Sequence, residues 1–140
     1  MEKLYVELES KSENESLARV IVTAFAARLN PTLEEVSDIK TAVSEAVTNA
    51  VIHGYENGEG IIKLICEIDR DYIIVSIRDE GVGIEDIEKA KEPLFTTREA
   101  DERSGMGFAF MEIFMDELYV ESEPGKGTTV LMKKKIGIGE

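Results

Sequence analysis

From residue 42 to residue 53 the chain reads Ala-Val-Ser-Glu-Ala-Val-Thr-Asn-Ala-Val-Ile-His, an apolar segment carrying Glu45, Asn49 and His53 at intervals of four. On a helix of about 3.6 residues per turn those three share one face, so a carboxylate, an amide and an imidazole stack on successive turns. Ala42, Val43, Ala46, Val47, Ala50 and Val51 occupy the rest of the surface, which predicts a largely buried helix. Polar groups on a buried helix need partners or a cavity. The fold must therefore bring other segments around this stripe.

Those segments can be placed coarsely. Residues 4–8 alternate apolar and polar as a half-buried strand does, and Ser12-Glu-Asn-Glu15 has capping-box spacing ahead of a helical pattern over residues 17–29. Asn30-Pro31-Thr32 stops that helix. Thr32-Leu-Glu-Glu35 is a second capping box, opening the long helix that carries the stripe to about His53, with Gly54 ending it. Two β-branched runs, 61–68 and 72–78, are joined by Asp69-Arg-Asp71 and predict a hairpin. Periodicity then fails over residues 80–104, a stretch of loop long enough to predict a functional lid. Helical spacing resumes over 108–114, and two further strands, 117–122 and 128–134, flank the turn Glu123-Pro-Gly-Lys-Gly127. Strands grouped this way predict an α+β domain, a two-layer α/β sandwich with a mixed, mostly antiparallel sheet and helices on one face.

Composition narrows the function. A chain of 140 residues is the length of a single domain, expected to span 1–140 without an internal boundary. One cysteine, Cys66, allows no intrachain disulfide, and with one histidine the chain lacks a zinc-ligand set. Cys66 reads as a core thiol. No signal-peptide segment and no run near the ~18 apolar residues of a membrane span is present, so a cytoplasmic protein is expected. The net charge of −13 repels a phosphate backbone and argues against nucleic acid, while a basic protein partner remains compatible. Lys133 to Lys135 form the one basic run and read as a solvated strand end.

Two further motifs surround the stripe in chemistry. In Asp79-Glu-Gly-Val-Gly83 a carboxylate ends a strand, and two glycines allow close backbone approach to a ligand. Asp79 there can accept from an amine, for which an adenine amino group is a natural donor, with Val82 or Ile84 beside the flat base. The same pattern also suits an ordinary strand-end turn. Gly105-Met-Gly107 opens a helix, whose free amides and positive dipole end suit phosphate oxygens. Neither segment completes a dinucleotide fingerprint, and Gly125-Lys-Gly127 is no P-loop; it reads as a turn, with Thr128 or Thr129 reaching a base from the next strand. Asn49 offers one oxygen to a magnesium ion bound mainly by phosphates and water. Glu45, one turn earlier, is placed to take a proton from an attacking hydroxyl or to orient a water. His53 reads as a helix-end imidazole contacting backbone.

Taken together, residues 45–53, 79–83 and 105–107 resemble the N, G1 and G2 boxes of the GHKL ATPase/kinase superfamily. Within it, Ser12-Glu-Asn-Glu-Ser16, His53-Gly-Tyr55, Pro93-Leu-Phe-Thr-Thr97 and Glu102-Arg-Ser-Gly-Met-Gly-Phe108 are similar to the anti-sigma serine kinases of sporulation, over nearly the whole chain. The resemblance implies a Bergerat-type fold that binds Mg-ATP, forms a homodimer, inhibits sigma factor F and phosphorylates a serine of an anti-anti-sigma factor. It implies Glu45 as the base and Asn49 as the magnesium ligand. It places Asp79, Gly81, Gly83, Thr97, Arg103, Ser104, Gly105, Met106, Gly107, Thr128 and Thr129 around the nucleotide, and Arg19 against sigma. A stress-response anti-sigma kinase, or a nucleotide-gated module without phosphoryl transfer, fits the same motifs.

Overall fold

The computed structural model describes residues 2–92 and 107–137. Five strands and four helices follow in the order β1 (Glu2–Glu9), α1 (Asn14–Ala26), α2 (Leu33–Asn49), β2 (Ile61–Asp69), β3 (Tyr72–Asp79), α3 (Ile87–Ala90), α4 (Gly107–Phe114), β4 (Glu117–Glu123) and β5 (Gly127–Lys135). The sheet order is β1-β2-β3-β5-β4 and every pairing among the described strands is antiparallel, the mostly antiparallel sheet expected with its helices on one face.

One face of the sheet is dry. Ile62, Leu64 and Cys66 of β2, Ile73, Val75 and Ile77 of β3, and Val130 and Met132 of β5 are at most 4% exposed. They meet Ala18 and Val22 of α1, Ile39, Val43 and Val47 of α2, and Met111 of α4. Each large aliphatic side chain buried in this way contributes roughly 1.5–3 kcal/mol. Helix α2 packs between α1 and α4, which buries its apolar positions Ile39, Ala42, Val43, Ala46 and Val47. Burial also pushes the Cys66 thiol up to about 12, consistent with an inert core residue.

Among the described residues, no helix packs on the opposite face. Across it, the register aligns Tyr5, Ile65, Ser76, Leu131 and Tyr119 in one transverse row. Rows of mixed charge flank it, Lys3, Glu67, Lys133 and Glu117 on one side and Glu7, Lys63, Arg78 and Glu121 on the other.

Helix ends separate right expectations from wrong ones. The Thr32 capping box is formed: Thr32 Oγ1 accepts from the Glu35 amide at 3.0 Å and Glu35 Oε1 accepts from the Thr32 amide at 2.9 Å. Ser12 makes no such box. Glu13 occupies the cap of α1 with helical backbone angles and no side-chain cap, and the chain enters through backbone bonds from Asn14 to Lys11 and Glu15 to Ser12. Glu15 is instead engaged by Arg19 and by the Ser44 hydroxyl.

At its far end α2 runs into one π-helical turn, Ala50–Gly54, closed by the Tyr55 amide on the Ala50 carbonyl at 2.9 Å. Gly54 is not left-handed here. Its small size answers to packing, as described below. Within the span read as structureless, Asp86 caps the short helix α3 through the Lys89 amide. The remainder of the expected lid, 93–104, lies outside the described residues. Lys134 also departs from its expected solvated state: it is buried, and its Nζ donates to the Phe114 carbonyl at 2.8 Å and lies 3.5 Å from Asp38.

Candidate functional site

Helix α2, its π-helical turn, the end of β3 and the start of α4 enclose a cavity of about 530 Å³, within the range that takes a small ligand or cofactor. The polar stripe opens into it, since Glu45, Asn49 and His53 all line the wall. Ile77, Ile84, Val130 and Phe108 supply an apolar surface, and Asp79 and Thr128 sit among them.

Asp79 is the buried carboxylate of this cavity, 6% exposed. Burial raises its pKa above the ordinary aspartate value, against a smaller lowering by the Gly81 and Thr128 amides that point at it. The Gly81 amide donates at 2.9 Å. Gly54 closes the other side: a Cβ built there would lie 2.8–2.9 Å from the carboxyl carbon and both oxygens of Asp79. Glycine at 54 thus lets the stripe helix and the Asp79 strand end touch.

The loop after Asp79 is held amide by amide. Glu80 donates to the Tyr55 hydroxyl at 2.7 Å, Val82 to the Gly54 carbonyl at 2.9 Å and Ile84 to the Ser122 hydroxyl at 2.8 Å. Gly81 faces the Gly54 carbonyl, which a Cβ would approach to 1.9 Å. Gly83 lines the cavity with φ +79°, and a Cβ built there would come within 2.2 Å of the Glu123 carbonyl oxygen.

Gly107 places the first turn of α4 close against the Asn49 side chain: a Cβ there would lie 3.1 Å from both amide heteroatoms, tighter than ordinary contact. Among the described residues no group of three His, Cys, Asp or Glu side chains is arranged to hold a metal. Asn49 brings one side-chain oxygen to the cavity wall, and a magnesium ion bound mainly through phosphates and water needs few protein ligands.

Of the two candidate threonines, Thr128 lines the cavity, whereas Thr129 lies on the open face in register with Arg78 and Glu121, because alternate strand residues face opposite ways. Thr97, Arg103, Ser104, Gly105 and Met106 lie outside the described residues. Arg19 is away from the cavity on α1, 3.4 Å from Glu15. Sequence reasoning missed Gly54 as the Asp79 contact, Tyr55 and Ser122 as loop anchors, and Lys89, the one lysine or arginine among the described lining residues. A long-range contact of this kind leaves no periodic signal.

A five-stranded antiparallel sheet with one helical face, and a cavity walled by a helix-borne Glu and Asn and a strand-end Asp, define a nucleotide-binding ATPase domain. Residues 8–134 match the histidine kinase-like ATPase domain family, and the chain belongs to it. The catalytic domain of the histidine kinase ThkA superposes with a TM-score of 0.58 at 21% identity, covering 97% of each chain. The RsbU and RsbW domains of a Mycobacterium tuberculosis protein superpose with a TM-score of 0.68 at 20% identity, covering 97% of this chain and 32% of that longer one. Both likenesses concern the fold.

Within that class the chain belongs to the anti-sigma F factors. It is 65% identical over 128 residues to the anti-sigma F factor of Thermoanaerobacter sp. (strain X514), covering 91% of this chain and 90% of that one. It is 56% identical over 138 residues to that of Clostridium acetobutylicum, covering 99% and 96%.

Proposed function

We propose that this chain binds and inhibits the sporulation sigma factor F, and that it is an ATP-dependent serine kinase acting on the anti-anti-sigma factor that antagonises it. The observation that carries the reading is the convergence of Glu45, Asn49, Asp79 and Gly107 on one cavity. Adenine lies against Ile77 and Ile84 with its amino group donating to Asp79, and the phosphates extend towards Asn49 and α4. Asn49 would hold a magnesium ion, which would neutralise phosphate charge and so ease transfer.

Glu45 receives the proton of the acceptor serine as its oxygen bonds to the γ-phosphorus and the bond from that phosphorus to the β-phosphate bridging oxygen breaks, leaving ADP. The single histidine, His53, lines the cavity wall, which favours a serine or threonine on another protein as the acceptor; the serine of the anti-anti-sigma factor is the one the family resemblance implies. Arg19, half-buried on α1 and paired with Glu15, is the contact assigned to sigma. A homodimer is supported by the row of Tyr5, Ile65, Leu131 and Tyr119 on the open face of the sheet, where Tyr5 and Tyr119 are half exposed. Sedimentation equilibrium of the purified chain reads that association directly.

The deciding experiment follows γ-labelled phosphate from Mg-ATP to purified anti-anti-sigma factor, with wild type and Glu45→Ala side by side. Label on a partner serine that disappears in the variant, with ATP binding retained, supports kinase action with Glu45 as base. Confirmed ATP binding without any transfer by wild type leaves a nucleotide-gated sigma-binding module.

A further inference from the structure

We infer that the hydroxyls of Tyr55 and Ser122 are positioning residues that set base selectivity, by pinning the two ends of the Glu80-to-Ile84 loop around Asp79. The inference rests on the nucleotide reading of the cavity.

At the near end, the Tyr55 hydroxyl accepts from the Glu80 amide and donates to the Ile61 carbonyl, both at 2.7 Å. Its donor and one acceptor site are thereby used, tying the end of the stripe helix to β2 and β3 at once. The ring is wedged against Gly60, where a Cβ would come within 2.5–2.6 Å of it, so the phenol cannot swing away on that side.

At the far end, Ser122 Oγ accepts from the Ile84 amide at 2.8 Å and lies 2.9 Å from the Gly127 carbonyl and 2.8 Å from Thr128 Oγ1. A hydroxyl has one donor and two acceptor sites. Donation to Gly127 with acceptance from Ile84 and Thr128 uses all three. Ser122 thus couples Ile84, on the apolar wall, to Thr128, whose amide points at Asp79. Neither hydroxyl belongs to a residue lining the cavity.

A carboxylate discriminates an amino group from a carbonyl at the same ring position only while it is held in place; a mobile one turns aside and tolerates either. Adenine presents an amino group where guanine presents a carbonyl oxygen. Loosening either end of the loop therefore lowers the preference for adenine, and not only the overall affinity.

The test measures Kd for ADP and GDP by titration calorimetry on the full chain, for wild type, Tyr55→Phe, Ser122→Ala, Asp79→Ala and Thr32→Ala, each first shown to be folded by its urea transition. Each hydroxyl variant is expected to narrow the ADP-over-GDP preference about 2- to 12-fold, the range one net hydrogen bond carries. Thr32→Ala removes a hydrogen bond far from the loop and is expected to leave the ratio unchanged. A ratio unchanged in a hydroxyl variant, while Asp79→Ala loses the preference, overturns the assignment for that residue and spares the site. Equal narrowing in Thr32→Ala attributes the effect to general destabilisation and overturns the inference. Wild-type preference retained in Asp79→Ala overturns the assignment of Asp79 as the base acceptor, and with it the inference.

Discussion

Replacing Gly54 by alanine tests the junction between the stripe helix and Asp79 with a single methyl group. The backbone at Gly54 is not in the left-handed region, so alanine adds no conformational strain and its whole effect falls on what the Cβ meets. That is the Asp79 carboxyl group, at 2.8 Å where ordinary contact begins near 3.4 Å, so the group must withdraw by about 0.6 Å. Packing an extra methyl against a close wall typically costs about 1–3 kcal/mol of stability. Displacing the acceptor forfeits a hydrogen bond to a charged group, about 1.5–3 kcal/mol, which is roughly 10- to 150-fold in Kd. Titration calorimetry with ADP reads the affinity, and a urea melt reads the stability. A folded Gly54→Ala protein that binds ADP within twofold of wild type refutes Asp79 as the base acceptor. Gly81→Ala makes the contrast: its Cβ would lie 1.9 Å from the Gly54 carbonyl oxygen and 2.4 Å from its carbon, both backbone, so loss of the fold is expected and not loss of affinity alone.

Two other outcomes follow from the buried charged groups. Lys134→Met leaves the Phe114 carbonyl and Asp38 without the buried ammonium, and is expected to lower unfolding free energy by about 1–3 kcal/mol, read as a shifted urea midpoint; an unchanged midpoint contradicts the assigned contacts. ADP affinity is expected to weaken on acidification through a pKa above the ordinary aspartate range, because the raised Asp79 protonates early and loses its acceptor charge. The sign for stability is opposite. With the folded pKa above the unfolded one, the Asp79 contribution to folding is fully present below the unfolded value and is lost as pH rises through the folded value. An inflection in Kd at or below the ordinary aspartate value rejects Asp79 as the titrating group.

Local order was legible in the residues. The Thr32-to-Glu35 capping box needs a spacing of three and is formed, and the 61–68 and 72–78 runs became β2 and β3 around a two-residue turn. The stripe of Glu45, Asn49 and His53 also faces a cavity as its period predicts. Where a signal had two readings, the residues did not choose between them: Ser12 has capping spacing but the chain turns into α1 through backbone bonds, and Lys134 looks solvated in a basic run until α2 and α4 pack over it.

The sequence by itself determined which side chains share a helix face and which alternate along a strand, because those periods belong to the backbone geometry of a few consecutive residues. Only the tertiary structure decided that β3 pairs with β5, that Thr128 and not Thr129 lines the cavity, and that Gly54, Tyr55 and Ser122 close around the Asp79 loop. These are contacts between residues distant in the chain, such as Ile84 with Ser122 and Asp79 with Thr128. They are chosen by simultaneous satisfaction of buried amides and close packing, conditions no short stretch of chain can meet alone.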